Sequence, residues 1–531
     1  MIKMTIKTTL SVMLILMCLS CGKNHGDIQS IQVIAHQPVL PVLAKKERNQ
    51  VLKISLEVPD SIQQPAVGTF EFSFDGTTNI GDIASAALVY NKEDNFDEAT
   101  IVADSDNITP RISMSGNREL DPGKHYFWLS VALNGTPELT HRIAARLLSV
   151  DLIDGRTLLP QKKTETAPQR IGIALRQYGD DGVDTYRIPG LATTNKGTLI
   201  AVYDVRYNDP VDLQEDIDVG MNRSTDGGQT WEPMKIIMDM GEYGGLDEDQ
   251  NGIGDPAVLV DHKTNTIWVA ALWLHGYPGE RAWNASQPGI SPKRTGQLIL
   301  VKSEDDGLTW SKPINITPQV KKEEWQLFFN GPGAGITMKD GTLVFAAQYK
   351  DKDRVPHSTI IYSKDGGASW HVGTGAKSET TEAQVVELTD GSLMLNMRDD
   401  RNRSHRKDSL NGRSVAVSHD LGKTWTEHPS SRKALIEPNC MASILAHDHP
   451  ELGKILFFSN PDSETQRNHI SIKTSFDEGM TWPHENQLEL FENNSYGYSC
   501  MTMVDDGHVG ILYEGVKELY FQKIPIKELI N

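Results

Sequence analysis

The stretch STDGGQTW at residues 224–231 recurs along this chain and decides how most of it folds. Near-copies begin at Ser303, Ser363, Ser418 and Ser475, and all five fit the pattern S-x-D-x-G-x-[ST]-W. Aspartate and glycine favour a tight turn, and tryptophan offers a large apolar surface to a neighbouring sheet. We call this phrase the box, and we expect it to be a structural turn that takes no part in chemistry.

The boxes belong to a longer repeat of β-strands. Apolar hairpins recur six times, at 188–204, 256–273, 333–349, 383–398, 442–459 and 500–515. Five of them are followed by another pair of strands whose turn is a box. Six units of four strands, each about sixty residues long, predict a six-bladed β-propeller. After the sixth hairpin, 518–526 is expected to add an outer strand, together with the start of the domain.

Residues 28–160 have a different pattern. Short runs of β-forming residues alternate with turn residues, which predicts a small antiparallel β-sandwich. The polar segment 159–170 contains prolines and is expected to link the sandwich to a propeller spanning 170–531. Two roles remain open for the sandwich, carbohydrate binding and packing alone, because Tyr126, Phe127 and Trp128 are consecutive and cannot all face a ligand.

The first 21 residues have the features of an export signal. Two lysines, Lys3 and Lys7, precede a short apolar run that ends at Cys21, which predicts a secretory signal peptide at 1–21. The run is too short for a comfortable membrane span. Ser20 before the cysteine and Gly22 after it resemble a bacterial lipoprotein cleavage site. We therefore expect secretion across the inner membrane and a lipid anchor at Cys21, on a periplasmic, outer-membrane or cell-surface lipoprotein of a bacterium.

Bulk composition narrows the classes of partner. The 531-residue chain has a formal net charge of −19. A nucleic acid is not the expected partner, because phosphate binding needs a basic face. Beyond the leader the only cysteines are Cys440 and Cys500, which we expect to be buried thiols. Neither belongs to a C-x-x-C pair, so no zinc site is predicted.

Unrepeated polar residues flank the six hairpins at the ends opposite their turns. In a four-stranded meander the first and third turns lie on one face, so these residues should meet in one central cavity on the face opposite the boxes. Guanidinium groups pair with carboxylate or phosphate, so a cluster of arginines there predicts an anionic ligand. The residues expected in this cavity are Arg187, Arg206, Asp212, Asp255, Gln348, Glu382, Arg398, Arg467 and Tyr498.

The RIP motif at 187–189, combined with downstream boxes, resembles the exo-sialidases (neuraminidases) of bacteria and animals over roughly residues 170–531. The sandwich resembles the accessory domain of gut-bacterial sialidases. The resemblance implies a retaining exo-α-sialidase that hydrolyses terminal sialic acids from glycoproteins, glycolipids or oligosaccharides. It implies no metal and no organic cofactor.

The resemblance also implies three arginines that bind the substrate's carboxylate. Arg187 of the RIP motif would be the first, Arg398 the second and Arg467 the third. Alternatives remain open at two of these positions: Arg403, Arg406 and Arg413 for the second, and Arg432 for the third. Arg206, Asp255 and Gln348 would line the pocket for the rest of the sugar.

The implied catalytic residues are an acid/base, a nucleophile and its assisting base. Asp212 fits the acid/base, with Asp209 and Asp216 as alternatives. Tyr498 fits the nucleophile, with Tyr496 as its rival. Glu382 would take the proton of the tyrosine, since a free phenol has a pKa of about 10.

A neutral phenol suits this substrate, because a sialoside carries a carboxylate on its anomeric carbon and would repel an anionic nucleophile. Two other functions stay open. One is a non-catalytic propeller that only binds sialoglycans, and the other is a trans-sialidase. The presence of Asp212, Glu382 and Tyr498 beside the arginines favours an enzyme, because binding alone would need only the arginines.

Overall fold

The computed structural model describes residues 30–62, 64–161, 167–212, 215–273, 282–403 and 410–530. Regular structure in these residues is almost entirely β. The short helices are α1 (Ala282–Ala285) and α2 (Thr317–Val320), with 3-10 turns at Ile80–Asp82, Asp180–Gly182, Glu248–Gln250, Asp400–Asn402, His484–Asn486 and Ile526–Glu528. The predicted leader, with Cys21, lies outside the described residues.

No helix in the described part of the chain is long and apolar enough to cross a membrane.

Two antiparallel sheets form the N-terminal unit, as the sequence predicts. Their inward residues alternate with outward ones, as in β7, where Ile112 and Met114 are buried between exposed neighbours. One sheet has the order β1-β3-β8-β5-β6 and the other β11-β10-β4-β7. The strands of this part of the chain are β1 (Gln32–His36), β2 (Val42–Ala44), β3 (Asn49–Val58), β4 (Ala66–Ser73), β5 (Ile83–Asn91), β6 (Thr100–Ser105), β7 (Arg111–Glu119), β8 (Gly123–Leu133), β9 (Arg142–Ile143), β10 (Arg146–Leu152) and β11 (Thr157–Leu158).

Six further sheets follow, one for each of the predicted repeat units. The first three are built from β12 (Gln169–Arg176), β13 (Thr185–Thr193), β14 (Leu199–Arg206), β15 (Ile217–Ser224), β16 (Lys235–Met238), β17 (Ile253–Asp261), β18 (Thr266–Trp273), β19 (Gln297–Ser303), β20 (Ile314–Asn315), β21 (Leu327–Asn330), β22 (Gly333–Ala334), β23 (Ile336–Thr337), β24 (Leu343–Lys350), β25 (Pro356–Ser363), β26 (His371–Val372) and β27 (Lys377–Ser378), although β12 joins the last sheet.

The remaining three sheets are built from β28 (Thr380–Glu387), β29 (Leu393–Asp399), β30 (Ser414–Ser418), β31 (Thr426–Glu427), β32 (Ser443–His449), β33 (Gly453–Pro461), β34 (Ile470–Ser475), β35 (Gln487–Phe491), β36 (Ser499–Asp505), β37 (His508–Glu514) and β38 (Leu519–Pro525). The innermost strands contact one another in sequence, and β36 returns to β13. The sheets therefore close into a ring, which is the predicted propeller architecture.

The last sheet is completed by strands from elsewhere in the chain. After β36, β37 and β38 it continues with β12, which pairs antiparallel with β38. The sequence predicts this outer position for the start of the domain. It does not predict β2 and β9, which leave the sandwich to pair with β12. The residues of the predicted linker that lie at 169–170 are part of β12.

Each box lies where the third strand of its sheet ends. The box serine is the last residue of that strand, and its hydroxyl accepts the N–H of the box glycine, at 3.0 Å for Ser224 and Gly228. The box aspartate accepts both the N–H and the hydroxyl of the following threonine or serine; Thr309 donates to Asp305 at 2.8 and 2.6 Å. These bonds lower the pKa of Asp305 to about 2. The carboxylate is therefore occupied as a turn-forming acceptor.

The box glycine also allows close packing against the preceding sheet. A Cβ atom on Gly228 would lie 2.1 Å from the ring of Phe521, and one on Gly367 would lie 2.3 Å from Trp268. Both aromatic rings belong to the sheet that precedes the box in the ring. At these two boxes the glycine is needed because an aromatic side chain of the neighbouring sheet occupies the space where a side chain would stand.

We predict that Gly367→Ala destabilises the protein more than Gly366→Ala does. Both glycines have a left-handed backbone, φ 88° and 68°, which costs about 1–2 kcal/mol for an alanine. Only Gly367 faces Trp268; nothing lies within 4 Å of a Cβ on Gly366. Overpacking should cost Gly367→Ala a further 1–3 kcal/mol, roughly. Equal unfolding midpoints for the two variants would contradict the role of the box glycine in packing against the preceding sheet.

Candidate active site

A cavity of about 540 Å³ opens on the face opposite the boxes. Its lining combines charged groups with an apolar wall of Ile188, Val211, Leu272, Trp283 and Phe329. Six of the nine predicted residues line it: Asp212, Asp255, Gln348, Glu382, Arg398 and Tyr498. The other three, Arg187, Arg206 and Arg467, contact members of this group from behind. The structure thus brings all nine together.

Bulges in the innermost strands direct side chains towards this cavity. The pairing register of β13 shifts between Arg187 and Gly190, and β17 shifts between Gly254 and Ala257. A third shift, between Thr380 and Ala383, sits beside Glu382. A bulge locally bends a strand and re-aims its side chains, so the same device serves three sheets.

Two of these bulges contain a strained residue. Ile188 and Asp255 both have φ of +55°, although isoleucine is β-branched and strongly disfavours this region. Hydrogen bonds from the backbone hold each in place: Ile188 N–H donates to Glu514 at 2.9 Å and Asp255 N–H donates to Asp204 at 2.8 Å. Both acceptor carboxylates are fully buried. The strain is therefore maintained by buried charge.

Three guanidinium groups surround Tyr498. Those of Arg187 and Arg467 lie 5.3 and 5.6 Å from the centre of its ring. Arg398 approaches the hydroxyl, with Nη1 3.1 Å from the phenolic oxygen. These are the three arginines that the sequence assigns to carboxylate binding, and their positive charges converge on one edge of the cavity.

The Tyr498 hydroxyl donates a short hydrogen bond to Glu382, and Arg398 contacts the same carboxylate at 2.5 Å. Burial raises the pKa of Tyr498 well above its ordinary value of 10.0, and the negative charge of Glu382 raises it further. The arginines only partly oppose this. At rest the phenol is therefore neutral, with a carboxylate already placed to accept its proton.

Asp212 stands on the loop between β14 and β15, at the mouth of the cavity. One of its oxygens, Oδ1, lies 2.8 Å from Nη1 of Arg206 and 3.3 Å from Nη1 of Arg187. Its side chain is nevertheless 73% exposed. Arg206 is completely buried and is not among the described residues that line the cavity; it supports Asp212 from below.

Asp255, Gln348 and Thr381 form a second polar group in the cavity. Burial raises the pKa of Asp255 well above its ordinary value, and the nearby carboxylates Asp204 and Glu382 raise it further, so a neutral carboxylic acid is favoured. The amide of Gln348 is buried, and neither its nitrogen nor its oxygen has a hydrogen-bond partner among the described residues. The buried hydroxyl of Thr381 also has no hydrogen-bond partner among the described residues. This wall offers uncommitted donors and acceptors to a ligand.

The alternative residues lie elsewhere, with one exception. Arg403 lines the cavity but is paired with Asp400 at 3.0 Å. Arg413 is buried against Glu437 and Arg432 against Asp399, and Tyr496 lies under Arg187 without reaching the cavity lining. Asp209 and Asp216 are also outside the described lining, and Arg406 lies outside the described residues.

Sequence reasoning missed two buried carboxylates and an asparagine. Glu514 accepts N–H bonds from Arg187 and Ile188 on one oxygen and from Tyr498 on the other, at 2.9–3.1 Å. Asp204 holds Arg206 with two bonds, and Asn439 accepts one from Arg398 at 3.0 Å. Glu514 is the last residue of β37 as Arg206 is of β14, so its position was a usable signal. Nothing in the sequence singles out Asn439.

The structure combines a ring of sheets with a cavity at the strand ends, and this cavity holds a phenol–carboxylate pair beside converging arginines. Together these features define a β-propeller glycoside hydrolase site. Family models agree. One described as "BNR repeat-like domain" matches residues 198–511, and one described as "N-terminal domain of BNR-repeat neuraminidase" matches residues 30–156. The chain belongs to the BNR-repeat neuraminidase, or sialidase, family, and the resemblance seen in its sequence is confirmed.

Individual relatives agree with this assignment. A sialidase of Bacteroides fragilis is 50% identical over 425 residues, covering 79% of this chain and 77% of its own. The solved structure of the Hadza microbial sialidase Hz136 superimposes with a TM-score of 0.86 at 43% identity, over 93% of this chain and all of that one. The intramolecular trans-sialidase of Ruminococcus gnavus, at 19% identity and a TM-score of 0.56, shares the fold over 66% of this chain and 97% of its own.

We predict that Glu514→Gln destabilises the protein by about 3–5 kcal/mol, since removing one partner of a buried ion pair leaves Arg187 with only the exposed Asp212 as an anionic partner. The same change at Glu304, an exposed partner of Lys302, should cost about 0–1 kcal/mol. Denaturant unfolding of the two variants measures both. A similar loss at the two positions would contradict the anchoring role of Glu514.

Proposed function

We propose that the protein is a retaining exo-α-sialidase that releases terminal sialic acids from glycoproteins, glycolipids or oligosaccharides through a sialyl-tyrosine intermediate. The observation that carries this proposal is the hydrogen bond from Tyr498 to Glu382 inside the arginine cluster. Sialidases are a known exception among glycosidases in using tyrosine where most use a carboxylate nucleophile. Non-catalytic binding would need the arginines but not this pair.

Substrate binding begins with charge. Arg187, Arg398 and Arg467 take the carboxylate on the anomeric carbon, which fixes the sugar ring relative to Tyr498. Asp255, whose raised pKa favours the neutral acid, and the amide of Gln348, which has no hydrogen-bond partner among the described residues, are available to hydroxyl and N-acyl groups of the same sugar. A buried polar group without a partner is costly, so a ligand that satisfies Gln348 gains binding energy.

Two displacements follow. In the first, Glu382 takes the phenolic proton, the Tyr498 oxygen bonds to the anomeric carbon, and the glycosidic oxygen leaves with a proton from Asp212. In the second, Asp212 takes a proton from water, the water oxygen attacks the same carbon, and Tyr498 leaves and recovers its proton from Glu382. Two inversions give net retention.

We predict that the wild-type protein releases free sialic acid from sialyllactose and that the first-formed product is the α-anomer, seen by proton NMR. Tyr498→Phe should lower kcat by a factor on the order of 10³ or more, because the nucleophile is lost. Tyr496→Phe is the matched control and should retain most activity. Equal losses in both variants would overturn the assignment of the nucleophile.

Transfer is the second candidate outcome, because water and a sugar hydroxyl compete for the same intermediate. Adding excess lactose to sialic acid donors of different linkage distinguishes the two. Sialylated lactose as the main product would favour a trans-sialidase, and binding without turnover would favour the non-catalytic propeller.

We also propose that residues 1–21 export the chain and that lipid on Cys21 anchors it to a membrane, as a periplasmic, outer-membrane or cell-surface lipoprotein. The cysteine flanked by small residues supports this. In a bacterial host, Cys21→Ser should move the protein from the membrane fraction to the soluble fraction, whereas Cys18→Ser should not. A membrane-bound Cys21→Ser variant would rule out the anchor.

A further inference from the structure

Asp212 is the central member of a chain of alternating charges. Arg206 and Arg187 both approach its Oδ1 atom, at 2.8 and 3.3 Å. On the far side, Asp204 holds Arg206 at 2.7 Å and Glu514 holds Arg187 at 3.1 Å. The order is thus carboxylate, guanidinium, carboxylate, guanidinium, carboxylate.

The five members of this chain of charges differ in solvent exposure and in whether they stand on a strand or a loop. The end carboxylates, Asp204 and Glu514, are completely buried, and so is Arg206, while the side chain of Arg187 is 10% exposed. Asp212 alone is largely exposed. Its loop position contrasts with the strand positions of the other four. Asp212 is therefore the member that can move while the arginines stay fixed.

This resting arrangement opposes the work proposed for Asp212. A general acid must carry a proton, but two guanidinium groups favour the carboxylate. Desolvation raises the pKa of Asp212, yet Arg206 and then Arg187 outweigh it, and the pKa is lowered overall. The charged or titratable groups that share its surroundings are Arg187 on β13, Arg206 on β14, Asp255 on β17, Glu382 on β28, Arg398 on β29, Arg403 and Tyr498.

We propose that the substrate's own carboxylate prepares Asp212 to act as the general acid. The substrate carboxylate takes the place of Asp212 on Arg187 and adds a negative charge beside Asp212. The exposed side chain of Asp212 then takes up a proton from solvent. This rests on the function proposed above. Glu514 and Asp204 keep both arginines fixed during the exchange.

The geometry favours the exchange at Arg187. Its 3.3 Å contact with Asp212 is the longest in the chain of charges, so it yields more readily than the 2.8 Å contact with Arg206. Arg187 already has a fixed second partner in Glu514, so it can accept a substrate carboxylate without losing its own position. Solvent reaches Asp212 directly, which supplies the proton.

The consequence is that the acid forms only in the substrate complex. Binding of a carboxylate ligand must then be coupled to proton uptake, because the pKa of Asp212 rises on binding. In the unliganded site Asp212 is not ready to donate a proton, and a sugar without the carboxylate would not make it ready.

Calorimetry tests this directly. The unsaturated analogue 2-deoxy-2,3-dehydro-N-acetylneuraminic acid is titrated into the protein near pH 6 in buffers of different ionisation enthalpy. We expect uptake of up to about one proton per site, since a group with a pKa below that pH becomes protonated on binding. Asp212→Asn should bind the analogue without that uptake. Asp209→Asn, on the same loop but outside the described cavity lining, should leave the uptake unchanged.

The outcomes separate the two proposals. If the wild type does not bind the analogue, the proposed function fails. If the wild type binds the analogue with no proton uptake, or if Asp212→Asn shows the same uptake, protonation of Asp212 on binding is ruled out and the proposed function stands.

A kinetic measurement applies even if Asp212→Asn binds poorly. With sialyllactose, kcat/KM reports the free enzyme and kcat the bound one. We expect kcat/KM to fall with rising pH well before kcat does, so that KM rises up to about tenfold per pH unit between the two limbs. Coincident limbs would contradict the proposal.

Discussion

Guanidinium groups can be buried around a single cavity only when each has a fixed partner, and this requirement organises the whole site. Glu514, Asp204 and Glu382 supply the anionic partners, and Asn439 supplies a neutral one. Three of these four lie within or at the end of propeller strands. The positive field at the cavity edge therefore depends on the ring of sheets, because the ring fixes where each strand ends.

The same anchors maintain backbone strain. Ile188 and Asp255 stay in a left-handed conformation because buried carboxylates accept their N–H groups. Strain of this kind persists only where the surrounding structure over-determines it. Residues on strands are thus held rigidly, while Asp212 and Arg467 stand on loops. Tyr498 directly precedes β36 and is held by hydrogen bonds to Glu514 and Glu382, whereas Asp212 is largely exposed, which suits a fixed nucleophile and an acid that responds to the substrate.

Much of this architecture was predictable because it is periodic. The boxes mark third turns, and once their face is known the hairpin ends must meet on the other. All nine site residues followed from that argument and from the family resemblance. The strands β2 and β9 were not predictable, because their pairing with β12 depends on the packing of two domains. Asp204 and Glu514 carry no motif of their own; Glu514 could have been found from its position near a hairpin end, whereas Asp204 is recognised only once Arg206 has a position.

The last sheet of the ring combines strands that are far apart in the sequence, since β12 pairs with β38 and β2 pairs with β12. Without β38 the last sheet is incomplete, so a chain that lacks it leaves the edges of β12 and β37 unpaired. Open edges pair readily with other strands and promote aggregation. Closure of the propeller therefore depends on a pairing between residues that are far apart in the sequence, and a truncated product would be recognisable to quality control by its unpaired edges.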